Sequence, residues 1–208
     1  MIEIVAATHN RGKLHEIAAA LAGLPVRLRS LNDCPGAPDV VEDGDTFAAN
    51  ASKKARAIAV YTHHYALADD SGLAVDALGG APGVHSARYA GANADDDANL
   101  HKLLAALAAV PARPRSARFI CVIALADPAG RIALAEGRVE GEIIATPRGQ
   151  NGFGYDPVFL YPPLGRTFAE LTPPEKLAVS HRGIALRGLA EKIRDLAPLA
   201  PEASHGTG

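Results

Sequence analysis

Apolar residues recur along this chain in two rhythms, and each predicts its own element. Ile2–Ala7 is a short apolar run, which predicts a buried strand. Thr8-His9-Asn10 interrupts it with polar side chains. Leu14, Ile17, Ala18 and Leu21 then fall at helical spacing and predict a helix over Arg11–Leu21. Strand, polar turn and helix in that order open an α/β unit. Pro25–Leu31 predicts a second strand, and Asn32–Val40, rich in Pro, Gly, Asn and Asp, predicts a loop. Asp45 or Thr46 stands where a cap belongs for a long helix over Phe47–Tyr61.

The middle of the chain reads differently. Tyr65–Ala68 and Leu73–Val75 predict short strands on either side of a turn, Asp69-Asp70-Ser71-Gly72. Gly79–Gly91 is too rich in glycine for a regular element. Ala98–Ala109 predicts a second amphipathic helix behind Asp95-Asp96-Asp97, acids that suit the positive end of a helix dipole. Ser116–Ala126 and Arg131–Val139 alternate around Asp127-Pro128-Ala129-Gly130, a hairpin signal, and Gly141–Ala145 continues the sheet. Gly149–Asp156 is a glycine-rich loop. Ser180 caps a last helix to about Leu196, and Pro198–Gly208 reads as a disordered tail. Parallel-type units followed by a hairpin imply an α/β fold in which a mixed sheet is flanked by helices. Residues 1–197 form its one domain.

Composition narrows the function classes. Hydrophobic residues make up 48% of the 208, enough for an ordinary core with no need of staples. The formal net charge of -2 gives no bulk attraction to nucleic acid or to an anionic membrane, so neither is expected as a partner. No run of apolar residues is long enough to span a bilayer, and the N-terminus has no basic region followed by an apolar one. Cys34 and Cys121 are far apart, with no zinc spacing and no disulfide framework. They read as a loop thiol and a buried strand thiol in a cytoplasmic setting. The pair His63-His64 lacks a third ligand and reads as surface loop.

Chemistry is concentrated in a few places. Thr8-His9-Asn10-Arg11-Gly12-Lys13 follows a strand and opens a helix, a setting that favours phosphate; the plainer alternative is a helix start capped by Asn10. It is not a Walker A loop, because Ala7 and Leu14 replace the first glycine and the hydroxyl residue. Glu42 lies ahead of a helix on which Asn50 and Lys54 share a face. Glu42 could hold a metal and Lys54 an anion, or both could be solvated. Asp69 and Asp70 end an apolar strand, where α/β folds place their sites. Their mutual repulsion would be relieved by a magnesium ion, which prefers oxygen ligands. A plain turn is the alternative.

The glycines of Gly149–Gly154 run in the reverse order of a dinucleotide fingerprint, and no helix follows, so that reading is rejected. They leave Phe153 free to approach a flat ring. Phe153 and Tyr155 could equally be core aromatics. Lys176, His181 and Arg182 sit around a helix start, where cations are disfavoured. No acid stands near Lys176 and Arg182 beyond the adjoining Glu175, so they are expected to await an anion or an acceptor-rich ligand.

Taken together, these segments resemble the inosine triphosphate pyrophosphatase family, the non-standard purine dNTP/XTP pyrophosphatases. The likeness runs from Ile4 to about Leu196. It is carried by TxNxxK at Thr8–Lys13, ExGxTFxxNAxxKA at Glu42–Ala55, ADDSGLAVDALGGAPGVHSARYAG at Ala68–Gly91, GFGYDPVF at Gly152–Phe159 and EKxxxSHRxxAL at Glu175–Leu186. His9 and Arg11 fill variable slots. The resemblance implies an elongated sheet with two lobes around a central cleft, a homodimer, and Mg²⁺-dependent hydrolysis of ITP, dITP and XTP to monophosphate and pyrophosphate. It implies that Asp70 is the proton acceptor and, with Glu42, a metal ligand, with Asp69 nearby. Thr8, His9, Asn10, Arg11, Gly12, Lys13, Lys54 and Ser71 would hold the triphosphate. Phe153, Gly154, Tyr155, Asp156, Lys176, His181 and Arg182 would line the nucleoside pocket.

The residues agree on a mechanism in which cations neutralise the triphosphate and Asp70 activates water. Arg182 and a protonated or suitably tautomeric His181 would donate to a purine 6-oxygen and reject adenine. Two rivals stand beside this reading, a non-catalytic nucleotide-binding module and a pyrophosphatase for pyrimidine nucleotides.

Overall fold

The computed structural model describes residues 1–196. The expected tail, Pro198–Gly208, lies outside the described residues. Twelve regular elements follow in order: β1 Ile2–Ala6, α1 Arg11–Leu21, β2 Val26–Ser30, α2 Phe47–Thr62, β3 Tyr65–Val75, α3 Asp96–Ala108, β4 Ser116–Ala126, β5 Ile132–Ile143, β6 Phe159–Tyr161, β7 Arg166–Thr167, α4 Pro173–Val179 and α5 His181–Leu196. One seven-stranded sheet runs β2-β1-β3-β4-β5-β6-β7. β1 pairs with β2 and β3 in parallel, and every later pairing is antiparallel. This is the expected mixed α/β sheet.

Side-chain alternation along the central strands sorts the core into two faces. Val5, Ala66, Ala68, Val122, Ala124 and Ala126 turn one way, against Ala51, Ala55, Ile58 and Ala59 of α2. Ile4, Leu67, Cys121, Ile123 and Leu125 turn the other way, against Ile17 and Leu21 of α1 and Ala185, Leu186, Leu189 and Ile193 of α5. Small residues on both sides of the first interface let α2 lie close to the sheet. The strands β3–β5 continue into a second core, where Leu73, Val75, Phe119, Phe159 and Phe168 meet Leu100, Leu103 and Leu107 of α3. The cleft opens between these lobes.

One expectation fails in a way that matters for the site. Asp69-Asp70-Ser71-Gly72 is not a turn. β3 runs unbroken through it for 11 residues, paired to β4 from Ala66 opposite Ala126 to Val75 opposite Ala117. The polar residues imitate a turn signal, but the ladder to β4 and burial on both faces override it. β5 likewise extends to Ile143, so the predicted hairpin strand and its continuation are one strand. β6, β7 and α4 were too short to show a period in the sequence. Thr46, not Asp45, caps α2 through the Ala49 N–H. Both cysteines are buried, Cys34 after a 3-10 turn and Cys121 within β4.

Gly137 fixes where α5 begins. A Cβ at that position of β5 would stand 2.0 Å from the His181 carbonyl oxygen. Only glycine lets the first turn of α5 rest on the sheet, and that turn carries His181 and Arg182.

Candidate active site

The two adjacent aspartates face opposite sides because a strand, unlike a turn, alternates. Asp70 shares the α2 side with Ala66 and Ala68. Its Oδ2 accepts from Asn50 Nδ2 at 3.0 Å, and its Oδ1 from the Ser71 N–H at 3.1 Å. Burial, then the Glu42 carboxylate, pushes its pKa up, outweighing Lys54 and Asn50. Lys54 Nζ donates to Glu42 Oε1 at 2.6 Å and to the Asp69 backbone oxygen at 2.7 Å. Arg88 donates to the Glu42 carbonyl at 2.9 Å and fastens this loop from the far lobe.

Asp69 goes the other way. Its carboxylate meets Lys13 Nζ at 2.5 Å, Arg182 Nε at 2.9 Å, the Ser71 hydroxyl at 3.1 Å and Cys121 Sγ at 2.8 Å. Burial alone would raise its pKa, yet Arg182 and then Lys13 hold it well below the usual carboxylate range. Asp69, expected near the metal ligands, therefore turns its carboxylate to the side of the sheet opposite Asp70. Among the described residues, no group of three or more His, Cys, Asp or Glu is placed to hold a metal.

Glu42, Asp70, Lys13 and Lys54 nevertheless line one cavity of about 300 Å³, together with Thr8, His9, Asn10 and Ser71. Two carboxylates offering oxygen ligands suit a hard divalent cation that keeps water or phosphate in its remaining positions. Asn10 does cap α1, accepting the Lys13 N–H at 2.9 Å, and Thr8 Oγ1 accepts the Asn10 N–H at 3.1 Å. Arg11 is exposed and lies outside the lining of the cavity, whereas Gly12 backs the Phe153 ring: a Cβ there would be 2.7 Å from it.

A second cavity, of about 100 Å³, adjoins the first and shares Asn10, Lys13, Ser71 and Ala87 with it. Phe153, Gly154, Tyr155, Asp156, Lys176, His181 and Arg182 line it. Lys176 and Arg182, expected to await an anion or an acceptor-rich ligand, already meet acids of the chain itself. Lys176 pairs with Asp156 at 2.6 Å and Glu16 at 2.9 Å, and Arg182 with Asp69 and Glu16. The partners come from α1, β3 and the glycine-rich loop, far away in sequence. Burial works against the Glu16 charge, but Arg182 and Lys176 hold its pKa below the usual range. Burial raises that of Asp156 despite Lys176.

The Phe153 ring lies over both cations, its centroid 4.6 Å from Lys176 Nζ and 5.6 Å from Arg182 Cζ. His181 stacks on Phe119 at 4.6 Å between centroids. Burial first, then Arg182 and Lys176, pushes its pKa well below the ordinary value, which favours the neutral, tautomeric imidazole over the protonated one. His181 Nδ1 is buried and has no hydrogen-bond partner.

Glu16 and Cys121 lie outside every motif, and Asn50 and Arg88 lie inside motifs that give them no role at the site. Glu16 stands three residues after Lys13, a spacing that on a solvated helix means only a surface pair.

An α/β protein with these joined chambers, one of lysines and carboxylates, the other of buried polar groups around an aromatic ring, belongs to the class that handles a polyanion attached to a flat polar ring. The chain belongs to the Ham1 family, whose profile matches residues 4–192. It is 57% identical over 190 residues to the dITP/XTP pyrophosphatase of Syntrophobacter fumaroxidans, covering 91% of this chain and 81% of that protein. It is 50% identical over 198 residues to the dITP/XTP pyrophosphatase of Shouchella clausii, covering 95% and 100%. The solved structure of a HAM1 protein from Coxiella burnetii superposes with a TM-score of 0.86 at 47% identity, over 94% of this chain and all of that one.

Proposed function

We propose that this chain is a Mg²⁺-dependent nucleoside triphosphate pyrophosphatase, cleaving dITP, XTP and ITP to the monophosphate and pyrophosphate. The observation that carries this reading is the convergence of Glu42, Asp70, Lys13 and Lys54 on one chamber that opens into the chamber of Phe153, His181 and Arg182. The names of the relatives support the dITP and XTP part.

Glu42 and Asp70 would hold the magnesium, which when bound offsets charge on the triphosphate. Lys13 and Lys54 supply positive charge along the same wall, and Thr8, Asn10 and Ser71 offer hydrogen bonds that orient the chain of phosphates. Asp70 takes the proton of the attacking water at its carboxylate. Asn50 and the Ser71 N–H fix the plane of that carboxylate. Attack on the α phosphorus breaks the bond to the β-phosphate oxygen, and pyrophosphate leaves.

Neutral His181, in the tautomer with a proton on Nδ1, donates to a purine 6-oxygen. Adenine presents an amino group there and would leave the donor unpaired, a mismatch worth about 10⁴-fold in sites built this way. Arg182 has most of its donors on Asp69, Glu16 and Ser71, so it orients the chamber more than it reads the base.

The test is a turnover panel of dITP, ITP, XTP, GTP, ATP and dTTP with Mg²⁺, measuring pyrophosphate and orthophosphate separately. The reading expects pyrophosphate from the first three. Tight binding with no cleavage of any would overturn it in favour of a binding module, and preference for dTTP in favour of a pyrimidine enzyme. The proposal includes a homodimer in the cytoplasm; sedimentation equilibrium tests the dimer.

A further inference from the structure

The acidic run at the start of α3 divides into separate tasks. Asp95 is the cap: its carboxylate accepts the Ala98 N–H at 2.8 Å. The Asp97 carbonyl meets His101 Nδ1 at 2.8 Å. Asp96 reaches out of the helix. Its Oδ2 accepts the N–H of Gly154, 58 residues further on, at 2.8 Å. Asp96 also lines the second chamber.

Gly154 stands at φ +61°, a left-handed conformation that glycine adopts freely, between Phe153 and Tyr155. The stem of this loop is held from elsewhere, by Gln150 and Asn151 N–H groups on the Ala169 carbonyl. Its tip is tied to the second lobe at two points, Asp96 to Gly154 and the Tyr155 hydroxyl to the Ser86 carbonyl at 2.8 Å. One turn along α3, buried Asn99 accepts the Ala90 N–H at 2.7 Å and donates to the Ala87 carbonyl at 3.1 Å. Residues three apart share a helix face. The same face of α3 thus fastens two parts of the chamber wall, the glycine-rich loop through Asp96 and the Ser86–Ala90 strip through Asn99.

We propose that Asp96 is a positioning residue for nucleobase binding: its carboxylate holds the Gly154 amide, and with it the Phe153 ring, at the spacing a purine requires. The inference rests on the proposed function for the identity of the ligand. A negative charge beside a site for a polyanion is unfavourable for binding, so its place there needs a reason. A carboxylate grips an N–H more strongly than a neutral acceptor does, and the first turn of α3 stabilises its charge.

The test uses full-length Asp96→Ala and Asp96→Asn. In Asp96→Ala, KM for dITP rises about tenfold with kcat within about twofold, the signature of lost binding rather than lost chemistry. The inhibition constant of inorganic tripolyphosphate, which fills only the lysine-lined chamber, stays the same. Amide hydrogen exchange at Gly154 in the nucleotide-free protein becomes faster. Asp96→Asn keeps an acceptor and restores KM to within about threefold of the parent. A lowered melting temperature with unchanged KM would reduce Asp96 to part of the helix start and overturn the proposal. So would an equal loss of tripolyphosphate and dITP binding. If the parent cleaves no nucleotide, the proposed function falls, while the Gly154 exchange still decides whether Asp96 holds the loop.

Discussion

The two sides of β3 at Asp69 and Asp70 carry the same functional group in opposite states. On the α5 side, Asp69 is enclosed by Arg182, Lys13, Cys121 and Ser71, and its charge is fully answered. On the α2 side, Asp70 faces a cavity, accepts only from Asn50 and the Ser71 N–H, and is pushed toward protonation by burial and by Glu42. One carboxylate is enclosed by ion pairs and the other stands at a cavity. Sequence neighbours acquire different roles because the pleat of a strand sends them to different environments. An ion pair that is complete is a poor base; a partly starved carboxylate beside a second acid is a good one.

Breaking each side in turn sharpens this contrast. Asp70→Asn should leave the melting temperature nearly unchanged and lower kcat by about 10³-fold, the range expected for losing a general base. Pre-steady-state release of pyrophosphate measures it, and normal turnover would remove Asp70 from its role. Asp69→Asn should do the reverse in emphasis. It leaves Arg182 and part of Lys13 uncompensated in the interior, which costs about 3 kcal/mol of stability in urea unfolding.

Acid should act on the structural side first. The folded-state pKa of His181 is depressed, so below about 6.5 the unfolded chain binds a proton that the folded chain does not. Stability is therefore full above that pH and falls as pH is lowered through it, by up to about 1.4 kcal/mol per unit. Glu16 and Asp69, also depressed, add their loss below the usual carboxylate range. His181→Gln should flatten the slope below about pH 6.5 in thermal melts; an unchanged slope would mean the histidine is charged in the fold. The smallest effect is expected at Cys121. Cys121→Ala removes the thiol that donates to Asp69 and should cost about 1 kcal/mol, most of it recovered by Cys121→Ser.

Much of this arrangement was legible in the residues. The order of elements, the helix opening at Arg11 and the placement of Lys13, Lys54, Glu42 and Asp70 near one another follow from periodicity and from a resemblance spread over the chain. The Asp69–Asp70 contrast was not. Asp-Asp-Ser-Gly carries every local sign of a turn, and only pairing with β4 makes it a strand. The partners of Lys176 and Arg182 were equally hidden, because ion pairs such as Arg182–Glu16 join residues separated by most of the chain. Local spacing reports which face a residue occupies within its own element. It does not report which distant element closes over that face.

The most direct measurement is a crystal structure with Mn²⁺ and the α,β-imido analogue of dITP, which cannot be cleaved. The account predicts metal density against Glu42 and Asp70, with the Asp69 carboxylate still on Arg182. Metal bound to Asp69, or Asp70 turned away from the phosphates, would contradict it.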